Sequence, residues 1–237
     1  MRYLMTFFCC LAGCAQTPTH HLHHSMNPSN HQLFNRIIVI PAEFDIVEVF
    51  TGGIIETIPE WNSAANQNTT TELLRLFNFE FNVNARQLEE NEYSEALEKS
   101  LNLYNRVAYF AKSHTTEQDM WPHKVAKFDY TIGDGLKFLK NKNIDAAMII
   151  NGTQPIALAQ HNQKPTKNIF LYPKNDINFG TLQITMSLVD IANGNILWMN
   201  NAAYENIDLR DQTSVHKMLK NTLQNFPHHS INTTSIN

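Results

Sequence analysis

Apolar and polar residues alternate most regularly near the carboxyl end of the chain, over residues 181–202. In the first half of this segment every second residue is apolar, which is typical of a β-strand with one buried face. The apolar positions are Leu182, Ile184, Met186 and Leu188. Asn193 and Gly194 follow, and both tolerate the positive φ of a tight turn. A second apolar run at 196–199 predicts the returning strand, so we expect a β-hairpin at the centre of the fold.

Three other segments have the patterns of strands. Residues 37–40 form a continuous apolar run, as in a strand that is buried on both faces. Residues 44–50 and 54–58 flank a Gly-Gly pair and predict a second hairpin with a glycine turn. A further buried strand is predicted at 146–150, where it ends at an Asn-Gly pair.

Helices are predicted between these strands, from apolar residues that recur at steps of three and four. The longer helices cover 61–79 and 94–112, a short helix covers 135–142, and a last helix ends before Pro227. One face of the last helix is apolar through Val215, Leu219, Leu223 and Phe226. The pattern predicts a single α/β domain over 36–227, in which helices pack on a mixed β-sheet with the C-terminal hairpin at its centre, an α/β sandwich.

The start of the chain has the pattern of a targeting segment. Arg2 precedes an apolar stretch at 3–11, which is too short for a transmembrane helix of about 20 residues. The residues Leu-Ala-Gly-Cys at 11–14 then resemble the lipobox of bacterial lipoproteins. The resemblance implies a signal peptide over 1–13 and acylation of Cys14, with palmitate among the acyl groups. The alternative is an ordinary secretory signal that contains a cysteine.

Several acyl chains on one residue would make membrane attachment stable, because a single chain binds only marginally. Ala15 follows the cysteine, where an aspartate would suggest retention in the inner membrane. We therefore expect attachment to the outer membrane, facing the periplasm, with the inner membrane as the alternative. Cys9 and Cys10 are lost with the signal peptide, so no disulfide is expected.

Residues 14–35 are polar and predict a flexible, His-rich tether that carries the acylated cysteine. Its histidines are weak candidates for metal ligands: His20, His21, His23, His24 and His31. No cysteine or carboxylate lies at ligand spacing among them, so an incidental polar tether is the main interpretation and metal handling the alternative. The polar tail at 228–237 is predicted to be disordered.

Charge and motifs narrow the possible functions. The net charge is −4 and no basic cluster occurs, which argues against a nucleic-acid partner. No nucleophile elbow, phosphate-binding glycine loop or zinc motif is present, so we expect no cofactor and no catalytic residue. Carboxylates act as an acid–base pair only when they lie within about 5–10 Å of each other. Asp190 is expected to close its strand before the turn, and Asp208 or Asp211 to cap the last helix or pair with Arg210.

Five segments in this order resemble a family of uncharacterised proteobacterial lipoproteins, over about 36–227: the strand and glycine turn up to Trp61, FDYTIGDGL, IDAAMIING, SLVDIANGNILW and IDLR. The matching positions that we take as a functional or structural motif are Glu56, Trp61, Asp129, Asp190, Trp198, Asp208 and Arg210. More loosely, the order of elements is similar to the periplasmic domains of the curli-secretion channel lipoprotein and of lipoprotein activators of penicillin-binding proteins. These resemblances imply assembly or regulatory proteins rather than enzymes.

Two main classes of function follow. The first is a membrane-anchored, non-catalytic interaction or assembly factor of the cell envelope, which predicts an exposed apolar patch or a free sheet edge and other envelope proteins as partners. The second is a hydrolase-type enzyme on a periplasmic substrate, which predicts carboxylates or histidines that converge in one pocket. Whether Glu56, Asp129, Asp190 and Arg210 share a cleft distinguishes the two classes.

Overall fold

A mixed β-sheet of nine strands runs through the part of the chain that the computed structural model describes, residues 19–26, 34–50, 54–116, 120–158 and 177–227. The strands are β1 Thr19–Leu22, β2 Arg36–Val39, β3 Glu43–Val49, β4 Ile55–Thr57, β5 Asn84–Gln87, β6 Ala146–Leu158, β7 Ile177–Phe179, β8 Leu182–Asp190 and β9 Ile196–Tyr204. The α-helices are α1 Pro59–Phe79, α2 Glu95–Thr116, α3 Pro122–Ala126 and α4 Gln212–Thr222, with 3₁₀ turns at Glu90–Glu92 and Lys137–Lys142.

The strand order is β1-β9-β8-β6-β2-β5, and β3, β4 and β7 extend the sheet from the second half of β6. β2 runs parallel to both β5 and β6, whereas β8 is antiparallel to β6 and β9. The α/β class with a mixed sheet and packed helices is therefore confirmed. None of the helices in the described ranges is both long enough and apolar enough to cross a bilayer.

The C-terminal hairpin forms as predicted, with β8 and β9 antiparallel and Leu188 opposite Trp198. Its loop is longer than a two-residue turn, and only Gly194 has a positive φ, of 72°. The Asp190 carboxylate accepts a hydrogen bond of 2.8 Å from the backbone N–H of Ala192, and so closes the turn. Since β1 covers the outer edge of β9 and β6 covers β8, the hairpin lies inside the sheet.

Helices cover both faces of the sheet, and the strands alternate between the two cores. The predicted strand at 37–40 is buried on both faces: Ile37 packs with α1 and α4, whereas Ile38 packs with α2. On the α2 side, the Tyr104 hydroxyl donates a hydrogen bond of 2.9 Å to Ser187 Oγ in the middle of β8. A sheet buried on both faces accounts for continuous apolar runs that lack the alternation of a half-exposed strand.

β6 is much longer than its prediction. The predicted end at Asn151-Gly152 is wrong, because the strand continues to Leu158 and pairs there with β3 and β7. At Gly152 the ring of Phe44 approaches so closely that a Cβ would lie 2.6 Å from a ring carbon. The glycine therefore allows a side chain to pack closely against the strand. The Asn-Gly dipeptide in the sequence suggests a turn and does not reveal this role.

The structure also differs from the predicted tether at 14–35. Thr19–Leu22 forms the edge strand β1 against β9, and the His21 ring stacks on Phe128 with centroids 5.3 Å apart. Met26 is buried as well. The physical reason is that β9 would otherwise present a row of unpaired backbone groups, which β1 satisfies.

The polar strand β5 was not predicted. In the segment that follows β5, the buried carboxylate of Glu92 forms two ion pairs and a backbone hydrogen bond. Glu92 is almost fully buried and pairs with Arg86 at 2.7 Å and with Lys142 at 2.6 Å. It also accepts a hydrogen bond of 2.8 Å from the backbone N–H of Glu89. The hydrogen bonds from Arg86 are the main reason that the pKa of Glu92 lies well below its usual range.

Because this pKa is depressed, the interaction stabilises the fold above the unfolded-state pKa of 4.5 and is lost as the pH falls below it. We expect Glu92→Gln to reduce the free energy of unfolding by about 1–3 kcal/mol at neutral pH. In urea unfolding the difference from wild type should shrink at pH values below 4.5. Glu95→Gln, at a largely exposed pair with Lys99, is the matched control and should change stability by less than about 0.5 kcal/mol. An undiminished difference in acid would contradict this assignment.

Candidate interaction site

The second predicted hairpin forms a branch at one end of the sheet. β3 runs parallel to the second half of β6, and β4 returns antiparallel to the last residues of β3. Within the described residues, β4 pairs with no other strand. The predicted glycine turn, Gly52-Gly53, lies outside the described residues. We call residues 47–50 and 54–57 the branch hairpin.

Large apolar side chains are exposed along the branch hairpin. Ile54 and Ile55 are 61% and 63% exposed, and Val49 and Phe50 are each 38% exposed. The backbone N–H of Phe50 donates to the Ile54 carbonyl at 2.9 Å, which holds these side chains on an ordered ladder. Val49 and Ile55 are directly opposed in the ladder, so they lie together on one face of the hairpin, and exposed apolar patches of this kind mark interaction sites.

Two glutamates lie directly opposite each other on the same hairpin. Glu48 pairs with Glu56 in the ladder, and neither forms an ion pair with any residue that the structure describes. Burial and, second, the negative charge of Glu56 raise the pKa of Glu48. Like charges at directly opposed positions destabilise a sheet. The pair therefore favours a positive charge supplied from outside the domain.

Helix α1 covers one edge of Ala42 and the first half of β3, opposite the edge that pairs with β6. Side chains at every fourth position of α1 accept hydrogen bonds from alternate backbone N–H groups of this segment. The bonds run from Ala42 N to Thr70 Oγ1 at 3.0 Å, from Phe44 N to Asn66 Oδ1 at 2.8 Å and from Ile46 N to Asn62 Oδ1 at 2.8 Å. Within the branch hairpin as the structure describes it, the three-residue strand β4 keeps a free edge, and such short edges are poor templates for another strand. Recognition at this site therefore depends on side chains.

A stacked ion pair supports the base of the branch hairpin. Arg210 binds both carboxylate oxygens of Asp208, at 2.9 and 3.0 Å. Its guanidinium lies 3.8 Å from the ring centroid of Trp61, which is fully buried in the first turn of α1. The same helix begins directly after β4, where Ile58 N donates to Ile46 O at 3.0 Å. Three predicted motif positions thus come together behind the hairpin.

Removal of the guanidinium would leave the Asp208 carboxylate buried without its main partner. We expect Arg210→Ala to lower the free energy of unfolding by about 2–3 kcal/mol. Arg210→Lys should recover only part of this loss, because an ammonium group neither binds the carboxylate with two bonds nor stacks flat on an indole. Arg106→Ala, at an exposed position on α2, is the control for chemical denaturation. Full stability of Arg210→Lys would contradict the bidentate, stacked arrangement.

The other predicted motif positions have separate partners. Asp129 pairs with Lys124 at 2.6 Å, which lowers the pKa of Asp129, and Asp190 closes the C-terminal hairpin. Trp198 is fully buried in the core between the sheet and α4. Asp129 and Asp190 both lie near His23, far along the chain from the branch hairpin with Glu56. Asp129 and Asp190 therefore share the surroundings of His23, whereas Glu56 lies on the branch hairpin and Arg210 behind it, so the four side chains do not converge on one site.

The predicted metal ligands do not form a metal site in the described residues, where no group of three or more His, Cys, Asp or Glu side chains is arranged to hold an ion. His21 and His23 are turned into the fold by β1, and burial is the main cause that lowers the pKa of each. His31 and the predicted lipidation site Cys14 lie outside the described residues.

A polar groove of about 340 Å³ lies beside α2, at the start of β3, and sequence reasoning missed it. Glu43 and Asp45 reach it from alternate positions of one strand. Across the groove, Lys112 Nζ donates to Gln183 Oε1 at 2.9 Å. The groove forms only through the parallel pairing of β3 with β6, which joins segments about 100 residues apart.

No family model matches the chain, and no curated protein sequence matches it. Among solved structures, the fold is similar to the PelC dodecamer from Paraburkholderia phytofirmans, with 10% identity, a TM-score of 0.39, and coverage of 90% of this chain and 99% of that one. It is also similar to the C-terminal domain of LpoB from Salmonella enterica, with 12% identity, a TM-score of 0.28, and coverage of 74% and 87%. Lipoprotein GNA1162 from Neisseria meningitidis matches with 14% identity, a TM-score of 0.29, and coverage of 81% and 94%. The resemblance to a family of uncharacterised proteobacterial lipoproteins stays a prediction.

Proposed function

We propose that the chain is a membrane-anchored periplasmic lipoprotein that acts as a non-catalytic interaction or assembly factor of the cell envelope. The observation that supports this function is the branch hairpin, which carries exposed apolar side chains and the opposed Glu48–Glu56 pair. Its partner is another envelope protein, which binds the side chains of the hairpin.

The side chains of the branch hairpin indicate what kind of partner surface would bind it. Full burial of one isoleucine side chain is worth about 1.5–3 kcal/mol. Ile54 and Ile55 project to opposite faces of the hairpin, so they are suited to an apolar pocket on the partner that encloses both faces. Burial of the Glu48 and Glu56 carboxylates without a cation would carry a desolvation penalty that opposes binding. A lysine or arginine beside the pocket would remove that penalty. The partner surface is therefore apolar with a basic side chain at its rim.

Site-specific photo-crosslinking in intact envelopes tests this contact. A photoreactive amino acid at Ile55 should crosslink to one envelope protein, whereas the same amino acid at Phe79 should not. Phe79 is the matched control because it is 81% exposed but lies at the end of α1. Equal capture of the same protein from both positions, or no capture from Ile55, would argue against the hairpin as the binding site.

Attachment to the membrane depends on acylation of Cys14. Because β1 begins at Thr19, only a short segment separates the acylated cysteine from the folded domain. Thr19 follows Cys14 by five residues, and a fully extended segment of that length spans at most about 18 Å. A flexible 21-residue tether would instead reach about 25 Å on average. The domain is thus held directly against the membrane, which we assign to the periplasmic face of the outer membrane, with the inner membrane as the alternative.

We expect Cys14→Ser to abolish labelling with palmitate and to release the protein from the membrane fraction. Cys10→Ser changes a cysteine within the predicted signal peptide and should leave labelling intact, so it is the matched control. A Cys14→Ser protein that still incorporates palmitate and sediments with membranes would rule out lipidation at this residue.

A hydrolase-type enzyme is the second candidate, and the polar groove with Glu43 and Asp45 is the observation that favours it. In that case Asp45→Asn should abolish turnover of a periplasmic substrate without affecting crosslinking from Ile55. Under the proposed interaction function, Asp45→Asn should leave the phenotype of the cell envelope unchanged.

A further inference from the structure

A second apolar surface lies on the face of the sheet that α2 covers, where the end of α2 meets α3. Its large side chains are each between 43% and 66% exposed: Tyr109, Phe110, Met120, Trp121 and Val125. We call these five side chains the aromatic surface. Its three aromatic rings alone expose roughly 300 Å², if about half of the 150–250 Å² of each ring system is accessible.

The aromatic surface is held in place by contacts around His114. The His114 ring stacks on Trp121 with centroids 3.8 Å apart and lies 5.8 Å from Phe110. His114 Nδ1 and the Tyr130 hydroxyl are 3.0 Å apart, and the backbone N–H of Trp121 donates to the His114 carbonyl at 2.8 Å. The rings are therefore preorganised at the surface and lose little conformational freedom on binding.

A continuous series of ring contacts joins the aromatic surface to the strand that follows the lipidation site. His21 on β1 stacks on Phe128, Phe128 lies 5.2 Å from Tyr130, and Tyr130 lies 6.4 Å from His114. β1 itself begins five residues after Cys14. The aromatic surface thus belongs to the side of the domain that the lipid anchor holds nearest to the membrane.

The geometry points to direct docking of the aromatic surface on the lipid bilayer to which the chain is anchored, and this inference rests on the anchoring in the proposed function. Trp and Tyr side chains favour the boundary between headgroups and acyl chains, because one end of each is apolar and the other is polar. Phe110 and Val125 provide purely apolar side chains for insertion. The anchor gives the domain a high effective concentration at the bilayer, so a small surface is sufficient.

The size of the aromatic surface favours a bilayer over a second copy of the chain. Stable protein interfaces bury about 800 Å² on each partner, more than twice what these aromatic rings expose. A bilayer accepts a smaller surface because the anchor has already removed most of the translational freedom of the domain.

The proposed binding site lies far along the sheet from the anchored strand. From β1 the sheet continues through β9, β8, β6 and β3 to β4, so β1 and β4 are at opposite ends of this series of strands. Five spacings of about 4.8 Å place β4 roughly 24 Å from β1. The branch hairpin is therefore separated from the anchored strand β1 by several strands of the sheet, which leaves room for a protein partner.

Tryptophan fluorescence tests the docking with the full mature chain. The chain has three tryptophans, and Trp61 and Trp198 are buried in the core on the α1 and α4 side, so Trp121 is the exposed emitter. The acylated protein is reconstituted in vesicles of phosphatidylethanolamine and phosphatidylglycerol whose acyl chains carry bromine near the headgroup. Insertion by about 5–10 Å brings Trp121 into contact with bromine. We expect loss of at least half of the Trp121 emission, and no such loss in Trp121→Phe.

Matched variants and quenchers separate the outcomes. Phe110→Ser should reduce quenching by bromine, whereas Phe79→Ser, at an exposed ring on α1, should not. Quenching of Trp121 by aqueous iodide but not by bromine, in protein that floats with the vesicles, would overturn the docking and leave the anchoring intact. Crosslinks between copies through residue 121 would also overturn it. Protein that does not float with the vesicles would contradict both the anchoring and the docking.

Discussion

Replacement of Trp198 by alanine is expected to lower the free energy of unfolding by about 3–5 kcal/mol. The indole is fully buried, lies opposite Leu188 in the C-terminal hairpin and packs edge-on against Phe226, with ring centroids 5.3 Å apart. Its Nε1 has no hydrogen-bond partner among the described residues, so the contribution of the side chain comes from packing. A cavity of this size cannot close without movement of the sheet against α4.

Urea unfolding measures this loss, and Phe79→Ala is the matched control. Phe79 is 81% exposed, so its truncation should change the stability of the domain by less than about 1 kcal/mol. Wild-type-like unfolding of Trp198→Ala would place the side chain outside the core and contradict the packing of α4 on β9.

Gly194→Val is expected to destabilise the domain by about 2–5 kcal/mol, from backbone strain and overpacking together. Gly194 has a φ of 72°, and a Cβ at this position would lie 1.7 Å from the carbonyl oxygen of Gly133. The two turns are also joined by a hydrogen bond of 2.9 Å from the Ile132 N–H to the Gly194 carbonyl. A side chain would force these turns apart.

Gly133→Ala separates the two causes. Gly133 also has a positive φ, of 67°, but a Cβ there would meet nothing within 4 Å. Its substitution should therefore show the cost of the left-handed backbone alone, about 1 kcal/mol. If Gly133→Ala and Gly194→Ala have equal thermal stabilities, close contact between the turns is not a determinant of the fold.

The sequence predicts strands well where burial determines the residue type. β2 and β8 are fully or half-buried, so their apolar runs and alternation are visible in the sequence. β1 and β5 consist mainly of polar residues at edges of the sheet, and their backbone pairing leaves no hydrophobic pattern. Prediction fails for them because hydrogen bonding with a neighbouring strand stabilises them, and that neighbour is distant in sequence.

The candidate site shows the same division. The hairpin at 44–58 and the position Glu56 follow from the sequence, but its cross-strand partner Glu48 depends on register, which the sequence does not specify. The pairing of Arg210 with Asp208 is predictable from their separation of two residues, whereas its stacking on Trp61 depends on how α1 packs near the last loop. The polar groove beside α2 depends wholly on tertiary packing.

Photo-crosslinking from Ile55, with and without charge reversal of Glu48 and Glu56 to lysine, tests the central claim most directly. The account predicts that wild-type protein crosslinks one envelope protein, and that Glu48→Lys with Glu56→Lys reduces that product at least about tenfold, since like-charge contacts at an interface cost several kcal/mol. Thermal unfolding of the domain should change little, because both side chains are at least partly exposed. An undiminished crosslink in the charge-reversed protein would contradict recognition through the branch hairpin.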